Sequence, residues 1–420
     1  MNTQTHRKMN KLKFLAMLLV FFSMYSCNDD DDDISDKELV ESLGTLEVQL
    51  VLSEGLSGIP LSDVSVTITN TADDTKKASA TSDDGAVTFE ELPLGNYNIE
   101  AIQSAEEYTL SGSEFGVLVA GEKVTQKITV NAVDPTAGLV IKEVFTSGAE
   151  YSFGGMKDMF VEIYNNSSET LYADGMYIAN LFSPTNPITE ELSTEEYVYA
   201  DYLVQVPGTG EDYPVPSGRS IVIAKNAINF KESVDWQGNT NPDMSLDNTD
   251  ATLEIYSIDW LEARGRIGNN TFDLDNPDVP NMTNIYIFQG DYVSFLFKMG
   301  GAGVVLVSAE ASFSAGTEIV GYKPDSDTYS LMRIPVKNIV DGVEILKNAD
   351  AVAHKRLPTS IDAGFSIDGT YFEFKSSRRL KDEAASVRFG RTILQDTNNS
   401  TVDFELIDAP DKFGYNQDPS

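Results

Sequence analysis

Apolar and polar residues alternate with a period of two along residues 44–133. Apolar side chains occupy every second position in these stretches: Leu46, Val48, Leu50 and Leu52; Val64, Val66 and Ile68; Val87 and Phe89; Tyr97, Ile99 and Ala101; Ile128 and Val130. Successive side chains of a β-strand point to opposite faces, so this period predicts strands with one buried face. Asp84-Gly85 and Gly95-Asn96 supply turn residues between the stretches. The pattern predicts a small β-sandwich over residues 45–133.

A second series of strand-like segments follows a short hinge at residues 133–138. Residues 139–145, 159–166 and 220–224 are rich in Val, Ile and Phe, and a loop with Gly154 and Gly155 separates the first two. Short apolar runs bounded by turn residues predict buried strands. We therefore expect residues 138–420 to form a larger all-β domain with long insertions. The longest insertion, residues 182–214, includes the acidic stretch from Glu190 to Glu196 and is compatible with a helix.

The first 26 residues have the order of a secretory signal peptide. Four cations precede an apolar stretch, residues 14–22, and a short polar segment ends at Cys27; no acidic residue lies before it. The alternative is a short transmembrane helix, which is disfavoured because the apolar stretch is shorter than the roughly 20 residues that a spanning helix needs. We predict that residues 1–26 are removed and that residues 27–44 form an acidic linker.

The junction at Cys27 resembles the lipobox of bacterial lipoproteins, in which the cysteine is acylated and becomes the first mature residue. The acidic run that follows, Asp29, Asp30, Asp31, Asp32 and Asp33, resembles the surface-export signal of Bacteroidota-type lipoproteins. These resemblances imply an outer-membrane protein that is exposed at the cell surface and held in the lipid by an acylated cysteine. Since Cys27 is the single cysteine of the chain, the mature protein is expected to have no disulfide.

Two further resemblances concern the domains. Residues 60–68, 81–89 and 92–97 resemble the carboxypeptidase-regulatory-like domain, a prealbumin-like sandwich without catalytic residues, which implies a spacer or scaffold. Residues 159–166 and 215–224, with Leu171 to Ile178 between them, resemble a lamin-tail-like immunoglobulin sandwich. The region 138–420 as a whole resembles an uncharacterised domain of Bacteroidota-type surface lipoproteins. Proteins of that kind are often encoded beside TonB-dependent receptors, which implies a role next to an outer-membrane importer.

Charge and histidine content restrict the chemistry. The formal net charge of −36 argues against nucleic acid as a partner, because such binding needs a basic surface. His6 is lost with the signal peptide, so His354 is the remaining imidazole, and a zinc site with two or three histidines is excluded. A Ser-His-Asp triad would have to use His354, which we expect instead to be a half-exposed residue at a strand end. Trp236 and Trp260 are expected to pack in the core.

Three groups of charged residues remain as candidate sites. Asp273, Asp275 and Asp278 have the spacing of a calcium loop, but we favour a loop whose side chains cap its own backbone. Asp325 and Asp327 form a weaker signal of the same kind; no cofactor is predicted, and a bound calcium ion stays an open alternative without further support. A basic island between Lys355 and Arg391 offers a partner or anion site at Arg378, Arg379 and Lys381; in the alternative, its arginines pair with internal carboxylates.

These observations predict a surface-tethered binding or accessory lipoprotein with an unknown ligand. Two alternatives stay open. An extracellular carboxylate-dependent glycoside hydrolase would need an acid and a base at a set separation, and the 66 acidic residues make that signal unspecific. A purely adhesive or structural surface protein is the other. We predict no catalytic residue, since the chain has neither a free thiol after lipidation nor a nucleophile-elbow motif.

Overall fold

The computed structural model describes residues 43–416, with gaps at 54, 106–107, 122, 147, 149–156, 183–191, 193, 235–236, 267–272, 289–300, 314–318, 323–328 and 368–371. Residues 1–26, Cys27, Asp29 to Asp33, Trp236, Asp325 and Asp327 lie outside the described residues. Leu43–Ser420 form one compact unit. In the described part of the chain, no helix has the length and apolar character needed to span a membrane.

The first seven strands form the sandwich predicted from the period of two. Their bounds are β1 Leu43–Leu52, β2 Ser65–Asn70, β3 Lys76–Ala80, β4 Ala86–Pro93, β5 Gly95–Ser104, β6 Thr109–Val119 and β7 Val124–Val133. They are hydrogen-bonded in the order β3-β2-β5-β6-β7-β1-β4, and β1 runs parallel to β7. Leu46, Val48 and Leu50 are at most 1% exposed, while the residues between them are partly exposed. One face of each strand except β3, which is exposed along its whole length, therefore builds a common core.

The remaining strands form two larger sheets and a short ribbon. Their bounds are β8 Leu139–Phe145, β9 Phe160–Asn165, β10 Leu171–Tyr172, β11 Tyr177–Leu181, β12 Tyr197–Gln205, β13 Pro214–Val215, β14 Ser220–Ala224, β15 Leu253–Glu254, β16 Thr283–Ile287, β17 Gly303–Val307, β18 Ile319–Tyr322, β19 Tyr329–Pro335, β20 Ile339–Leu346, β21 Ser366–Ile367, β22 Ser376–Arg379 and β23 Phe404–Ile407. A six-stranded sheet has the order β15-β14-β9-β8-β22-β23. An eight-stranded sheet has the order β18-β19-β12-β11-β17-β20-β21, with β16 beside β12, and β10 pairs with β13.

The two larger sheets share one hydrophobic core. Val161 and Ile163 of β9 belong to the same buried cluster as Val304 and Leu306 of β17. Burial of each such side chain contributes about 1.5–3 kcal/mol relative to exposure. The opposite face of the eight-stranded sheet is also buried, around residues such as Val305. All-β architecture with packed sheets is thus confirmed.

In the described residues the helices are short and lie between strands. The α-helices are α1 Ile258–Glu262, α2 Glu383–Phe389 and α3 Ser400–Asp403, and the 3-10 helices are Phe230–Glu232, Pro242–Met244, Val336–Asn338 and Ala349–His354. In the described part of the insertion 182–214 the structure has strand β12 rather than a helix. Tyr202, Leu203 and Val204 are consecutive and all buried, as in a strand covered on both faces. Residues 183–191 and 193 of the insertion lie outside the described residues.

Contacts join the first sandwich to the remainder of the chain. The hydroxyl of Ser113 donates a hydrogen bond to the carbonyl of Ala363, and the rings of Phe115 and Phe365 lie 5.4 Å apart between centroids. Arg388 of α2 donates to the carbonyl of Ala105 at 3.3 Å. Helix α2 therefore lies beside the end of the β5-β6 hairpin.

Candidate functional site

The basic island contains one arginine that is completely internal. Arg379 lies at the end of β22 with its side chain 1% exposed, and its guanidinium contacts Asp341 at 2.7 Å, Asp396 at 3.1 Å and Asp403 at 3.7 Å. It also donates to the carbonyl of Ile141 at 2.8 Å. The prediction that Arg379 belongs to a partner surface is therefore wrong, because buried carboxylates bind this guanidinium in the protein interior.

Arg378 and Lys381 do not join Arg379 in a common surface either. Arg378 is half-buried and pairs with Glu405 at 2.6 Å and Asp411 at 2.7 Å. Lys381 is partly exposed and pairs with Glu383 at 3.0 Å. Neighbouring side chains of a strand point to opposite faces, so Arg378 and Arg379 separate as soon as β22 forms. Within the predicted patch, only Lys381 stays available at the protein surface.

The exposed part of the basic island lies instead on helix α2. Val387 is 82% exposed and Phe389 is 43% exposed, although both are large apolar residues. The guanidinium of Arg388 lies over the ring of Phe389 at 4.5 Å, and that of Arg391 lies at 6.0 Å from the same ring. We call Lys381, Val387, Arg388, Phe389 and Arg391 the α2 surface. It combines apolar contact area with fixed cations, the composition that is enriched at energetically important positions of interfaces.

Local sequence explains why α2 presents this surface. Asp382 caps the helix, since its carboxylate accepts a hydrogen bond from the backbone N–H of Ala385 at 2.8 Å. Gly390 ends the helix at φ 65°, a left-handed conformation that glycine adopts without strain. Ala385 and Ser386 face the body of the protein and are buried. Val387, Arg388 and Phe389 form the last turn of the helix and are exposed.

Two concavities flank α2. A crevice of about 340 Å³ lies between the helix and the first sandwich, lined by Ser104, Ala105, Thr109, Pro135, Asp382, Ala384, Ala385 and Arg388. A shallower one of about 210 Å³ lies on the other side, lined by Lys381, Ser386, Val387, Gly390, Arg391 and Thr392. Each contains at least one cation, so each can accept an anionic side chain beside an apolar wall.

Electrostatic compensation on the α2 surface is incomplete. Among the described residues, neither Arg388 nor Arg391 forms an ion pair. Arg391 Nη1 is buried and has no hydrogen-bond partner among these residues. Desolvation lowers the pKa of Arg391, and the nearby Tyr164 opposes that shift. A guanidinium in this state gains from a carboxylate or phosphate ligand, which restores charge-assisted hydrogen bonds.

The aspartate loop after residue 272 turns its carboxylates in different directions. Asp273 is 3% exposed and accepts a hydrogen bond from the N–H of Ser257 at 2.9 Å. Asp275 accepts from the side chain of Asn281 at 3.1 Å, and Asp278 is exposed. In the described ranges, no group of three acidic, histidine or cysteine side chains is arranged to hold a metal ion. Within the loop itself, Asn276 caps the backbone by accepting a hydrogen bond from the N–H of Asp278 at 3.1 Å, whereas Asp273 caps the separate segment at Ser257.

Buried ionisable clusters are a feature that the sequence reasoning missed. Lys225 is 1% exposed; desolvation lowers its pKa to about 8, against the opposing charges of Asp273 and Asp158. Desolvation also raises the pKa of Asp273 to about 6. Such perturbed groups occur at functional sites and also in structural ion-pair networks. Here they lie in the interior, away from the two concavities beside α2.

A second buried cluster lies under the C-terminal segment. Lys142 and Glu162 are both fully buried and pair at 2.8 Å, and Lys142 also donates to the carbonyl of Asp411 at 3.0 Å. The N–H groups of Asp411 and Phe413 donate to Glu143 and Glu162, each at 3.0 Å. Desolvation raises the pKa of Glu143 to about 7. The cluster explains how a strand with Lys-Glu in its centre is buried throughout.

His354 and Trp260 complete the sequence candidates. His354 is partly exposed, as expected, but it ends the 3-10 helix Ala349–His354 rather than a strand. Trp260 of α1 packs at the edge of the main core, with the guanidinium of Arg264 3.6 Å from its ring centroid. Neither His354 nor Trp260 belongs to the α2 surface or to the lining of the two concavities. The signal for α2 was present in the sequence as Val387 and Phe389 on either side of Arg388.

Comparisons with known proteins bear on the fold. Residues 216–411 match the model of a protein family of unknown function, DUF4876, and residues 54–134 match the prealbumin-like fold domain. A DUF4876 family protein from Bacteroides thetaiotaomicron has a TM-score of 0.56 and 24% identity, over 90% of this chain and 98% of that chain. No curated protein matches the chain. These findings confirm a prealbumin-like first sandwich followed by a domain of unknown function.

Two weaker likenesses carry no argument about this chain. The minor pilin GBS52 from Streptococcus agalactiae is 20% identical over 22% of this chain and 45% of that chain, with a TM-score of 0.19. A DUF3823 family protein from Parabacteroides merdae is 9% identical over 44% of this chain and 80% of that chain, with a TM-score of 0.17.

Proposed function

We propose that this chain is a surface-tethered outer-membrane lipoprotein that acts as a binding or accessory module, beside a TonB-dependent importer. The anchor is Cys27, and the export signal is the run from Asp29 to Asp33. The observation that carries the binding role is the α2 surface, where Val387 and Phe389 are exposed next to uncompensated arginines. Exposed apolar side chains next to arginine are typical of the contact residues of protein interfaces.

The two folded parts have separate tasks in this proposal. Residues 27–44 are a lipidated acidic linker, residues 45–133 form a carboxypeptidase-regulatory-like spacer, and residues 138–420 form the binding domain with a lamin-tail-like core. The spacer keeps the α2 surface at a fixed position because Ser113 and Phe115 attach it to the larger part. A rigid support reduces the conformational entropy that binding would otherwise cost.

The glycosidase alternative receives less support from the geometry. A glycosidase needs two carboxyl groups on either side of an open cleft, and one of them usually has a raised pKa. In the described residues, carboxyl groups with a strongly raised pKa, such as Glu143 and Asp273, are buried in the protein interior. The lining of the two concavities contributes a single carboxylate, Asp382, which caps α2.

An adhesive role would use the same exposed surface and differs only in the partner.

Anchoring and exposure are tested on cells. Mass spectrometry of the mature N-terminus should find acylated Cys27 as the first residue, and Cys27→Ser should release the protein from the membrane fraction. Protease added to intact cells should digest the wild type, whereas replacement of Asp29 to Asp33 by alanine should protect it. Unchanged membrane retention of Cys27→Ser would overturn the anchor, and an alanine variant that stays sensitive to protease would leave the acidic run as a mere linker.

A further inference from the structure

We propose that the α2 surface binds an acidic protein segment that carries apolar residues between its carboxylates. The apolar side chains would cover Val387 and Phe389, and the carboxylates would enter the two concavities, where Arg388 and Arg391 provide the donors. This inference deepens the proposed binding role and rests on it. Its test uses the purified protein, so a failure here would leave the anchoring and surface exposure untouched.

Charge complementarity selects the occupant. Acidic neighbours of the surface are already engaged: Glu383 pairs with Lys381 at 3.0 Å, and Asp382 accepts the capping hydrogen bond of α2. Arg388 and Arg391 take part in no ion pair among the described residues, and Arg388 makes only a long hydrogen bond to a backbone carbonyl. A carboxylate therefore meets two donors without having to displace an existing partner. A cationic segment would be repelled at this surface by Arg388 and Arg391.

The shape of the surface favours a protein segment over a lipid bilayer. Val387 lines the concavity of about 210 Å³ together with Arg391, and Arg388 lines the separate concavity of about 340 Å³. A chain that alternates acidic and apolar side chains can fill this arrangement, whereas a flat headgroup layer contacts only the protruding helix. An extended anionic membrane would be repelled by the net charge of −36 more strongly than a short segment with a few carboxylates would be. The same repulsion opposes a second copy of this chain as the occupant.

The test is binding of defined probes to the purified mature protein in detergent. A short peptide of alternating glutamate and leucine is titrated by fluorescence anisotropy, together with a lysine–leucine peptide, a peptide of glutamate without leucine, and vesicles that contain phosphatidylglycerol. The glutamate–leucine peptide should bind, and its affinity should fall as the salt concentration rises. Arg388→Glu should weaken it about tenfold, as expected when one charge-assisted hydrogen bond is lost, and Val387→Asp should weaken it similarly.

Matched variants separate the surface from general charge. Lys127→Glu makes the same charge change on an exposed position of β7, and Leu118→Asp makes the apolar-to-acidic change at a residue of β6 that is 57% exposed. Both should bind the peptide like the wild type. All four variants should keep the melting temperature of the wild type, since the substituted side chains are solvent-exposed.

The proposal is overturned if the glutamate–leucine peptide does not bind, or if Arg388→Glu binds it as well as Lys127→Glu does. If the leucine-free peptide binds as tightly as the glutamate–leucine peptide, and Val387→Asp does not weaken it, then apolar contact with Val387 does not contribute to binding. Binding of vesicles that depends on Arg388 in place of peptide binding would identify a lipid surface instead. Self-association that Arg388→Glu abolishes would identify a second copy as the occupant and would equally contradict the proposal.

Discussion

Replacement of Arg379 by methionine tests the buried part of the basic island. The methionine side chain is unbranched and of similar length, so it fills much of the same volume while it removes the charge and the donors. Arg379 contacts three aspartates, and its side chain is 1% exposed. Asp341 also accepts a hydrogen bond from the N–H of Ile141 at 2.6 Å, so the carboxylate cannot turn away without a second loss. The substitution leaves a buried acidic cluster without its cation.

The expected cost follows from the burial of the partners. Removal of one member of a buried ion pair destabilises proteins by about 3–5 kcal/mol, because the other charge remains uncompensated in the interior. For a folded unit of this size the loss corresponds to a decrease in melting temperature of roughly 4–6 °C. Desolvation already raises the pKa values of Asp341 and Asp403, and Arg379 counteracts it. Without the arginine these pKa values should rise further, so protonation should recover part of the lost stability.

Chemical denaturation at two pH values measures both parts of the argument. The free energy of unfolding of Arg379→Met should be lower than that of the wild type by several kcal/mol near pH 8, and the gap should narrow towards pH 5. Arg388→Met is the matched control: its guanidinium is exposed, so its effect should stay within about 0.5 kcal/mol. The reasoning is refuted if Arg379→Met loses less than about 1 kcal/mol at pH 8, or if the gap widens as the pH falls.

Three further predictions concern the interior and one chain end. Desolvation raises the pKa of Glu143 from 4.5 to about 7, so the folded state binds this proton more tightly than the unfolded state does. The stability that the proton contributes is lost as the pH rises through 7, and Glu143→Gln should therefore flatten the pH dependence of the free energy of unfolding. An unchanged slope would contradict the raised pKa of Glu143. A chain that ends after Ile407 loses the N–H donors that the C-terminal segment gives to Glu143 and Glu162. Its free energy of unfolding should therefore fall by about 2–4 kcal/mol, and amide hydrogen exchange in β8 and β9 should accelerate. Full protection of both strands from exchange would contradict this prediction. Gly301→Ala should cost about 2–4 kcal/mol in the free energy of unfolding, because Gly301 has φ +100° and an added Cβ would lie 2.1 Å from a backbone oxygen. Gly210→Ala, at φ +123° with open space around it, should cost clearly less, and equal losses would remove the steric explanation.

The sequence predicted those features of the fold that depend on local periodicity. Leu46, Val48 and Leu50 alternate with polar residues, and the structure buries them on one face of β1. The strand predicted over residues 139–145 has the same bounds as β8. Strand β12 was not anticipated, because part of it consists of polar and aromatic residues inside a long acidic insertion. Its burial comes from neighbours distant in sequence, such as β19.

The candidate site depended on tertiary contacts that periodicity does not encode. A count of cations cannot distinguish Arg379 from Arg388, since what separates them is where Asp341, Asp396 and Asp403 lie after folding. The alternative of internal ion pairs, which the sequence left open, describes Arg379 and Arg378. The exposed Arg388 lies on α2, between a capping aspartate and a terminal glycine, and Arg391 follows that glycine.

Purification of the native membrane complex tests the central claim most directly. The wild-type lipoprotein, extracted in mild detergent from its own outer membrane, should bring down a TonB-dependent importer in a constant ratio. Arg388→Glu should reduce this recovery while its anchoring and melting temperature stay unchanged, and Lys127→Glu should recover the partner in full. Isolation of the wild-type protein alone, or equal recovery by Arg388→Glu, would contradict the account of a surface-tethered binding module that acts through α2.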